Sequence, residues 1–524
     1  MLVANNPTDY GLDSPEWYPY QRELVQSILD WYEGDKRFLI ISAPTGTGKS
    51  LLSLATQRAL NKRVHTVVST LRLQDQMRSS YRHAPVLKGR DNYDCQIVDV
   101  PVSQAPCQVG FQCDVRDTCP YFVDRESAYK SDYAVLNYTL YMNLREFSDD
   151  FPTPDIMFCD EAHLINAEVE KYTTATITDR EIAAQGWRRP RDESVMGLAQ
   201  WAEYNLPNVK EKLKSTLRQI MAITGGFKGD RIKGNAKSYG RAVAQYNKMR
   251  QLERTLELMV AAGQDTEDGK SWVYEKTGMT HVLRPTFVDE YTWQLFGTKP
   301  RVVLMSATIN EDEVARLGID DYDFVEVGSS YASERRPIYY RPVGSVTMGS
   351  EQRLWANIMS EIDQIIEEHF SQGHKGIIHS VSYDRARKIK ESSVFSDRIM
   401  IHDATNKDTV IAQYKESDEP VVLVSPSIME GEDFPGDECR FIIIPKVPYA
   451  SMGDKVVREK IKNDPDWYTW QALINLIQAC GRGMRSQDDW SMTYILDSQF
   501  EKVLTEHDGD VPEWFLSAVV RGSS

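Results

Sequence analysis

The sequence predicts an α/β fold made of parallel sheets with helices on their faces. Short apolar runs typical of buried strands alternate with segments of helical spacing in the first third of the chain, beginning at Phe38 to Ile41. Four similar runs come late in the chain: KGIIHS, PVVLVS, RFIII and MTYILD. Strands that alternate with helices usually pair in parallel. We therefore expect two parallel sheets, one in each end region of the chain.

Between these regions, from about residue 170 to about residue 284, long amphipathic helices with few strand signals are expected. Tyr246, Met249, Leu252, Leu256 and Met259 keep helical spacing, which is typical of core packing rather than of a cofactor site. The following segment, from HVLRPTFV through VLMSAT, is expected to return the chain to the region of the first sheet.

The composition excludes several classes of protein. The 524 residues are 41% apolar and 26% charged, as in folded soluble proteins, and the length predicts roughly three or four domains. The N-terminus lacks a signal-peptide pattern, and no run reaches the ~18 apolar residues of a membrane helix. We therefore expect a cytoplasmic protein without a membrane partner. The net charge of −16 argues against coating nucleic acid, although a local basic channel is compatible with it.

A phosphate-binding loop follows the first predicted strand. The stretch APTGTGKS fits the pattern G-x-x-x-x-G-K-[ST], except that Ala43 replaces the first glycine. Glycines let backbone N–H groups curl around phosphates, the lysine reaches the outer phosphates, and the hydroxyl can bind Mg²⁺. The candidate nucleotide-binding residues are Gly46, Thr47, Gly48, Lys49 and Ser50.

An acidic pair follows a second predicted strand. In PDIMFCDEAHLI, Ile156 to Phe158 form a short apolar strand that ends just before Asp160 and Glu161. Carboxylates at the carboxyl end of a parallel strand lie where α/β sheets bind ligands. Asp160 is expected to hold Mg²⁺, and Glu161 to orient or deprotonate the attacking water. Cys159 is expected to be a core thiol.

Four of the seven cysteines lie between Cys95 and Cys119, the other two being Cys107 and Cys113. Disulfides are rare in the cytoplasm, so clustered thiols there more often bind metal. The spacing C-x₁₁-C-x₅-C-x₅-C lacks the C-x₂-C pairs common in zinc sites and ferredoxins. Four thiolates can hold zinc or an iron–sulfur cube, and the spacing alone does not choose between them.

Two later motifs join the phosphate loop and DEAH in a family pattern. The phosphate loop and DEAH resemble motifs I and II of superfamily 2 helicases. Motif III is resembled by PRVVLMSATIN, with Ser306 and Thr308, and motif VI by INLIQACGRGMRSQDD, with Gln478, Arg482 and Arg485. Arginines three residues apart share one helix face, which would aim both at one phosphate cluster. Such an arginine finger is worth ~10³–10⁵ in rate in related NTPases.

Further stretches narrow the resemblance to the XPD/DinG-like helicases. YPYQRELVQSI resembles their N-terminal element, with Gln21 near the nucleotide base, and KGRDNYDC resembles the entry to their cysteine cluster. SPSIMEGEDFPGD is similar to motif V, with Gly431 and Asp433 as coupling residues. The resemblance implies that Cys95, Cys107, Cys113 and Cys119 hold a [4Fe–4S] cluster, and that ATP with Mg²⁺ is hydrolysed between two motor domains.

The resemblance also implies an architecture of two RecA-like motor domains, with an iron–sulfur insertion and a helical arch insertion in the first. The expected bounds are 1–87, 131–169 and 285–330 for the first motor, 88–130 for the iron–sulfur domain, 170–284 for the arch and 331–524 for the second motor.

Several residues are candidates for nucleic-acid contact and for coupling. Thr70 and Ser380 are expected to contact backbone phosphates, and His163 to connect the ATP site to Ser306 and Thr308. Arg90 and Tyr93 either contact nucleic acid or only brace the cysteine cluster. From Lys228 to Arg254, eight lysines and arginines stand against Asp230 and Glu253. That stretch is either a solvated helix face or the electrostatic lining of a strand path.

We therefore expect a monomeric 5′→3′ DNA helicase that translocates on single-stranded DNA, unwinds duplex junctions and meets repair or replication proteins. Two alternatives are an RNA-directed or nuclease-coupled relative of the same motor, and a nucleic-acid-stimulated ATPase that scaffolds without unwinding. No added nuclease motif occurs in the sequence.

Overall fold

The computed structural model of the protein describes residues 2–44, 46–81, 84–109, 113–224, 232–426, 432, 434–484 and 489–522. Within these residues, no helix is both long enough and apolar enough to cross a membrane.

The described strands, in chain order, are β1 Phe38–Ser42, β2 Val64–Val68, β3 Tyr133–Asn137, β4 Ile156–Cys159, β5 Ala175–Thr178, β6 Trp272–Thr277, β7 Thr280–Pro285, β8 Arg301–Ser306, β9 Tyr322–Glu326, β10 Ile338–Gly344, β11 Gly376–His379, β12 Ile399–Ile401, β13 Val422–Ser425, β14 Phe441–Ile444, β15 Met492–Asp497 and β16 Val519–Arg521.

The described α-helices are α1 Gln21–Glu33, α2 Lys49–Leu60, α3 Leu71–Ser80, α4 Pro120–Lys130, α5 Tyr138–Phe147, α6 Ile165–Thr173, α7 Asp179–Ala184, α8 Val195–Thr224, α9 Ile232–Glu267, α10 Trp293–Phe296, α11 Glu311–Arg316, α12 Glu351–Phe370, α13 Tyr383–Ser392, α14 Lys407–Glu416, α15 Lys455–Asn463, α16 Pro465–Cys480, α17 Gln499–Glu506 and α18 Glu513–Leu516.

The first sheet has six parallel strands in the order β3-β2-β4-β8-β1-β9. Strand β1 pairs Phe38 with Val302 of β8 on one side and with Tyr322 of β9 on the other. All five residues of β1 are buried, because helices cover both faces of a parallel sheet. The predicted strands at Phe38 and Ile156 are confirmed.

The second sheet has seven parallel strands in the order β12-β13-β11-β14-β15-β10-β16. Its central strands β11, β13 and β14 are buried along their whole length. Together with β15, they coincide with the four apolar runs predicted late in the chain. The α/β fold with two parallel sheets is therefore confirmed.

The arch consists of the long helices α8 and α9 packed on a small antiparallel sheet, β5-β7-β6. Met249, Leu252, Leu256 and Met259 are buried in its core, as the helical spacing predicted. The segment from HVLRPTFV to VLMSAT begins in β7 of this small sheet and ends in β8 of the first sheet. Strand β7 alternates buried and half-buried residues, so it carries a weak apolar signal.

The segment with α15 ties the second sheet's domain to the first domain and to the arch. Asp454 accepts two hydrogen bonds from the Arg284 guanidinium, at 2.7 and 2.9 Å. Further ion pairs are Lys460–Glu170 at 2.9 Å and Arg316–Asp464 at 2.7 Å. These partners are mostly shielded from solvent, so salt screens them less than it screens surface pairs.

The cysteine insertion lies beside helix α9. It contains short 3₁₀ turns at Arg90–Asn92, Val102–Gln104 and Pro106–Val109. The Tyr239 hydroxyl and the Asn247 amide donate to backbone carbonyls of the insertion, at 3.0 and 2.5 Å. The arch therefore holds the insertion by polar contacts with its backbone.

Candidate active site

The phosphate loop joins β1 to α2 at the carboxyl edge of the first sheet. Gly46 and Gly48 have φ angles of 84° and 70°, in the left-handed region that glycine adopts without strain. Helix α2 begins at Lys49. Such an N-terminus binds phosphate, because unpaired N–H groups and the helix dipole both favour an anion. Ala43 extends the pairing of β1 with β8, since its N–H donates to the Ser306 carbonyl at 2.8 Å.

Side chains of the phosphate loop donate hydrogen bonds to the loop's own backbone. The buried Lys49 ammonium donates to the carbonyls of Ala43 and Pro44, at 2.9 and 3.3 Å. The Thr47 hydroxyl also donates to the Pro44 carbonyl. Ser50 lies in the first turn of α2. Lys49 and Ser50 therefore lie together where the loop meets the helix.

Gln21, expected near the nucleotide base, lies against the phosphate loop. It is buried, its amide nitrogen donates to the Gly48 carbonyl at 3.0 Å, and its amide oxygen accepts from the Tyr18 N–H at 2.9 Å. A methyl group built on Gly46 would overlap the buried ring of Tyr331. The sequence analysis missed Tyr331, because it comes from a segment far along the chain.

The acidic pair follows β4 at the same sheet edge. Burial raises the pKa of Asp160 and the Glu161 charge adds to this rise, while the Lys49 charge opposes it; the resulting pKa is about 6. A buried carboxyl group in this situation gains strongly from a bound cation. Glu161 has a φ of 50°, a conformation that costs energy for a residue other than glycine and occurs at functional sites.

A chain of polar contacts leads from the acidic pair into the second motor. The Nδ1 atom of His163 lies 3.4 Å from the Glu161 carboxylate and 2.8 Å from the Ser306 hydroxyl. The Ser306 hydroxyl lies 3.3 Å from that of Thr308, which accepts from the Gln478 amide at 3.4 Å. Burial lowers the pKa of His163 to about 4, so the ring is neutral near pH 7.

Arg482 does not lie on a helix face, contrary to the sequence-based expectation. Helix α16 ends at Cys480, and Arg482 lies in the following turn. Gly483 packs so closely on Ser491 that a side chain there would overlap it, which requires glycine at this position. The Arg482 guanidinium is buried and donates to the Glu432 carbonyl at 3.3 Å. Its charge helps to lower the pKa of His163, so it faces the site of the first motor.

Three predicted site residues, Arg485, Gly431 and Asp433, lie outside the described residues. An ion pair that the sequence analysis missed joins Arg72 of α3 to Glu432 of the second motor. Motif order alone gives no signal for such a pair, since its partners come from distant parts of the chain.

Two family models match the chain. The model for the type III restriction enzyme, res subunit, matches residues 14–185, and the model for the helicase C-terminal domain matches residues 367–517. A probable ATP-dependent helicase of Methanocaldococcus jannaschii is 21% identical, over 92% of this chain and 92% of its own. The ATP-dependent DNA helicase YoaA of Escherichia coli is 23% identical, over 91% of each chain.

Solved structures share the fold. An XPD helicase, 15% identical, superposes with a TM-score of 0.60 over 96% of this chain and 99% of its own. Xpd4 of S. tokodaii, also 15% identical, has a TM-score of 0.59 over 96% of this chain and 100% of its own. The two family models and the helicase relatives support an XPD/DinG-like superfamily 2 helicase, and the XPD structures share its fold. It is an ATP-dependent helicase, and its two parallel-sheet domains are the RecA-like motors.

The helicase's expected phosphate-contacting hydroxyls have partners within the protein. Thr70 caps helix α3, where its hydroxyl accepts from the Leu73 N–H at 3.2 Å. Ser380 follows β11, is buried, and donates to the Ser382 carbonyl at 3.1 Å. Both residues lie at the carboxyl edge of their sheets, since Thr70 follows β2 and Ser380 follows β11.

Arg90 and Tyr93 differ in what they expose. The Tyr93 ring is buried and its hydroxyl donates to Asp124 at 2.8 Å, so no ring face is open to a base. This geometry favours the bracing role for Tyr93. Arg90 is exposed, with its Nε donating to the Tyr121 hydroxyl at 3.1 Å. Its guanidinium remains open to solvent.

The four clustered cysteines come together in the fold. Cys119 is part of the core, and Cys95 and Cys107 pack against it. Burial raises the pKa of Cys107, and Cys95, Cys113 and Cys119 all act in the same direction, so the four sulfurs lie within electrostatic reach. Among the described residues, no three His, Cys, Asp or Glu side chains are arranged to bind one metal ion.

Substituting Lys49 or Glu161 should separate ATP binding from hydrolysis. Lys49→Ala should abolish hydrolysis, because the outer phosphates lose their main cationic contact. Glu161→Gln should still bind Mg²⁺–ATP through Asp160, yet lower kcat by at least ~10²-fold, since positioning of the water is lost. Steady-state ATPase and nucleotide-binding assays measure both effects. Near-normal turnover in Glu161→Gln would remove that role from Glu161.

Proposed function

We propose that this helicase translocates 5′→3′ on single-stranded DNA and separates duplex DNA at junctions. The observation that supports ATP-driven movement is the polar chain from Glu161 to Gln478, which joins the nucleotide site of the first motor to the second motor. A motor needs such a connection, because hydrolysis must change the contact between domains. The same proposal includes the domain bounds expected from the sequence and a monomeric state. It also includes a cytoplasmic location with the nucleoid, and repair or replication partners.

Hydrolysis uses residues from both motors. The N-terminus of α2 and the Lys49 ammonium bind the phosphates of ATP, and the Ser50 hydroxyl and Asp160 carboxylate supply oxygen ligands of the kind Mg²⁺ prefers. When bound, Mg²⁺ neutralises charge on the phosphates. Glu161 orients a water toward the γ-phosphate. Arg482, with Arg485, approaches from the second motor and stabilises negative charge that develops in the transition state.

The state of the nucleotide reaches the second motor through hydrogen bonds. The Glu161 carboxylate and the Ser306 hydroxyl both contact Nδ1 of the neutral His163 ring, so a shift of the carboxylate changes the hydrogen bond to Ser306. Ser306 and Thr308 pass this change to Gln478. Loss of the γ-phosphate then releases the closed arrangement, and the motors separate by one step along the strand.

A cavity of about 610 Å³ supports a path for the strand. It lies where helix α5 of the first motor, the cysteine insertion and the arch helix α9 meet. Phe147 lines it with its ring 49% exposed, and the guanidinium of Arg250 lies 5.6 Å from the centre of that ring. An exposed aromatic ring beside cations is the combination that binds single-stranded nucleic acid.

The charge of this cavity is mixed. Its cations are Lys88, Arg90, Arg250 and Arg254, and its carboxylates are Asp91, Glu146, Glu253 and Glu257. Within the basic stretch from Lys228 to Arg254, only Arg250 and Arg254 line it among the described side chains. Mixed charge suits a strand that slides, because a uniformly cationic wall would hold the phosphates more tightly.

We further propose that Cys95, Cys107, Cys113 and Cys119 hold a [4Fe–4S] cluster beside this path. Two observations support it: the donor set is four thiols within mutual electrostatic reach, and the insertion has only short turns of its own. When bound, the cluster fixes the fold of the insertion.

DNA is the proposed substrate because YoaA of Escherichia coli, similar over nearly the whole chain, is named a DNA helicase. An RNA-directed motor is the second candidate, since the DEAH motif occurs in both classes. A scaffold ATPase without unwinding is the third candidate, and the complete set of motifs argues against it.

Unwinding of tailed duplexes tests the proposed function. A DNA duplex with a 5′ single-stranded tail should be unwound with ATP, while a 3′-tailed duplex and the matched RNA duplexes should stay paired. Arg250→Glu should weaken binding of single-stranded DNA and reduce the slope of log Kd against log salt by about 0.7. Its ATPase activity without DNA should persist, because Arg250 is remote from the phosphate loop.

Lys214→Glu is the matched control for this substitution, since Lys214 is an exposed arch residue that does not line the cavity. If both variants bound DNA like the wild type, the cavity would not be the strand path. A preference for the 3′ tail would reject the proposed polarity, and equal unwinding of RNA would favour the second candidate.

Cys107→Ser tests the iron–sulfur proposal. The variant should lose the visible absorbance and the iron content of the purified protein and should not unwind duplexes. It should keep most of its DNA-stimulated ATPase activity, because the ATP site is built from other segments. Cys439→Ser is the matched control, because Cys439 is a buried thiol of the second motor. This variant should keep the iron content of the wild type. Zinc in a colourless wild type would contradict the cluster assignment.

A further inference from the structure

The ion pair of Arg72 with Glu432 joins the two motors within reach of Arg482. Arg72 lies in the first turn of α3 in the first motor, and Glu432 lies between β13 and β14 in the second. The Arg72 side chain is 49% exposed, whereas that of Glu432 is only 12% exposed. Removing one partner of a buried pair leaves an uncompensated charge, which is costly. The conformation of the chain at Glu432 therefore depends on a residue of the other motor.

The backbone of Glu432 also contacts the arginine that is proposed to act in hydrolysis. The buried Arg482 guanidinium donates to the Glu432 carbonyl at 3.3 Å. A guanidinium is a planar fork with fixed N–H directions, so an acceptor that holds one nitrogen also sets the direction of the others. The position of the Glu432 carbonyl thus helps to set the orientation of Arg482.

The backbone at Glu432 is anchored from both motors. On the side of the second motor, the fully buried Phe434 follows two residues later and packs edge-on against Tyr414, with 5.8 Å between the ring centres. On the side of the first motor, the anchor is the Arg72 guanidinium. If the motors move apart, Phe434 stays with the second motor and Arg72 with the first. The chain at Glu432 then loses one anchor, and its carbonyl can shift away from Arg482.

We propose that Arg72 and Glu432 are a positioning pair that orients Arg482 toward the γ-phosphate when the motors are closed. The inference rests on the proposed role of Arg482 and adds the device that makes this role depend on closure. Neither partner of the pair contacts ATP, because both act through the Glu432 carbonyl. When the motors are open, the pair is broken and hydrolysis is slow.

ATPase kinetics at saturating single-stranded DNA test the pair, because a lower affinity for the strand cannot then contribute. Arg72→Ala should lower kcat by up to ~10²-fold, since misplacing a catalytic group by ~1 Å can cost that much. The KM for ATP should stay close to that of the wild type, because the phosphate loop still binds the substrate. Glu432→Gln should lower kcat less, since it leaves no buried charge unpaired. Arg72→Lys keeps the charge and should retain most of the activity.

Binding of Mg²⁺–ADP with and without aluminium fluoride tests whether the pair acts through Arg482. The fluoride complex imitates the transferred phosphoryl group, and transition-state analogues bind more tightly than ground-state ligands. The wild type should prefer the complex over ADP alone, and both Arg72→Ala and Arg482→Ala should lose most of this preference. The double variant should lose no more than Arg482→Ala does, because residues that act as one unit are not additive.

Arg78→Ala is the matched control. Arg78 lies on the same helix, has 45% of its side chain exposed, and pairs with Asp124 of the cysteine insertion rather than with the second motor. This variant should keep the kcat and the fluoride preference of the wild type. A loss in Arg78→Ala equal to that in Arg72→Ala would overturn the proposal.

The remaining outcomes separate the pair from Arg482 itself. Wild-type kcat in Glu432→Gln would overturn the pair, even if Arg72→Ala were impaired, and so would an additive loss in the double variant. If Arg482→Ala lost the fluoride preference while Arg72→Ala kept it, Arg482 would retain its role and the pair would not. If Arg482→Ala kept the preference, the proposed role of Arg482 would be rejected, and the pair with it.

Discussion

The carboxyl edge of the first parallel sheet is the constraint on which the site depends. The strand order places β4, β8 and β1 side by side, so the segments that follow them must meet at one edge. The acidic pair follows β4, Ser306 ends β8, and the phosphate loop follows β1. Residues that are far apart in the sequence therefore come within hydrogen-bonding distance because the strands are parallel and adjacent.

The second motor adds what one sheet cannot supply. Gln478 and Arg482 approach the same edge from the end of α16, while Asp454 and Lys460 hold the α15 segment to the first motor and arch. Closure of the motors and binding of nucleotide are thereby linked, because several contacts exist only when both domains are in place.

The sequence predicted the features that depend on local pattern. The buried strands of both sheets and the apolar stripe of the arch follow from spacing and composition, and the motif order identified the family. Features that depend on distant partners were missed. The ring of Tyr331 on Gly46, the Arg72–Glu432 pair and the burial of Tyr93 all come from chain segments that meet only in the fold. Arg482 was assigned to a helix from its spacing to Arg485 alone, whereas α16 ends at Cys480 and Arg482 lies in the following turn.

The contact between Gln478 and Thr308 is the point where the polar chain crosses between the motors. A double-mutant cycle with Thr308→Val and Gln478→Ala, with ATP consumed per base pair unwound as the readout, tests the coupling most directly. If this contact carries the signal, each single variant should consume more ATP per base pair, and the double variant should be no worse than either. Independent, additive effects of the two substitutions would contradict the coupling.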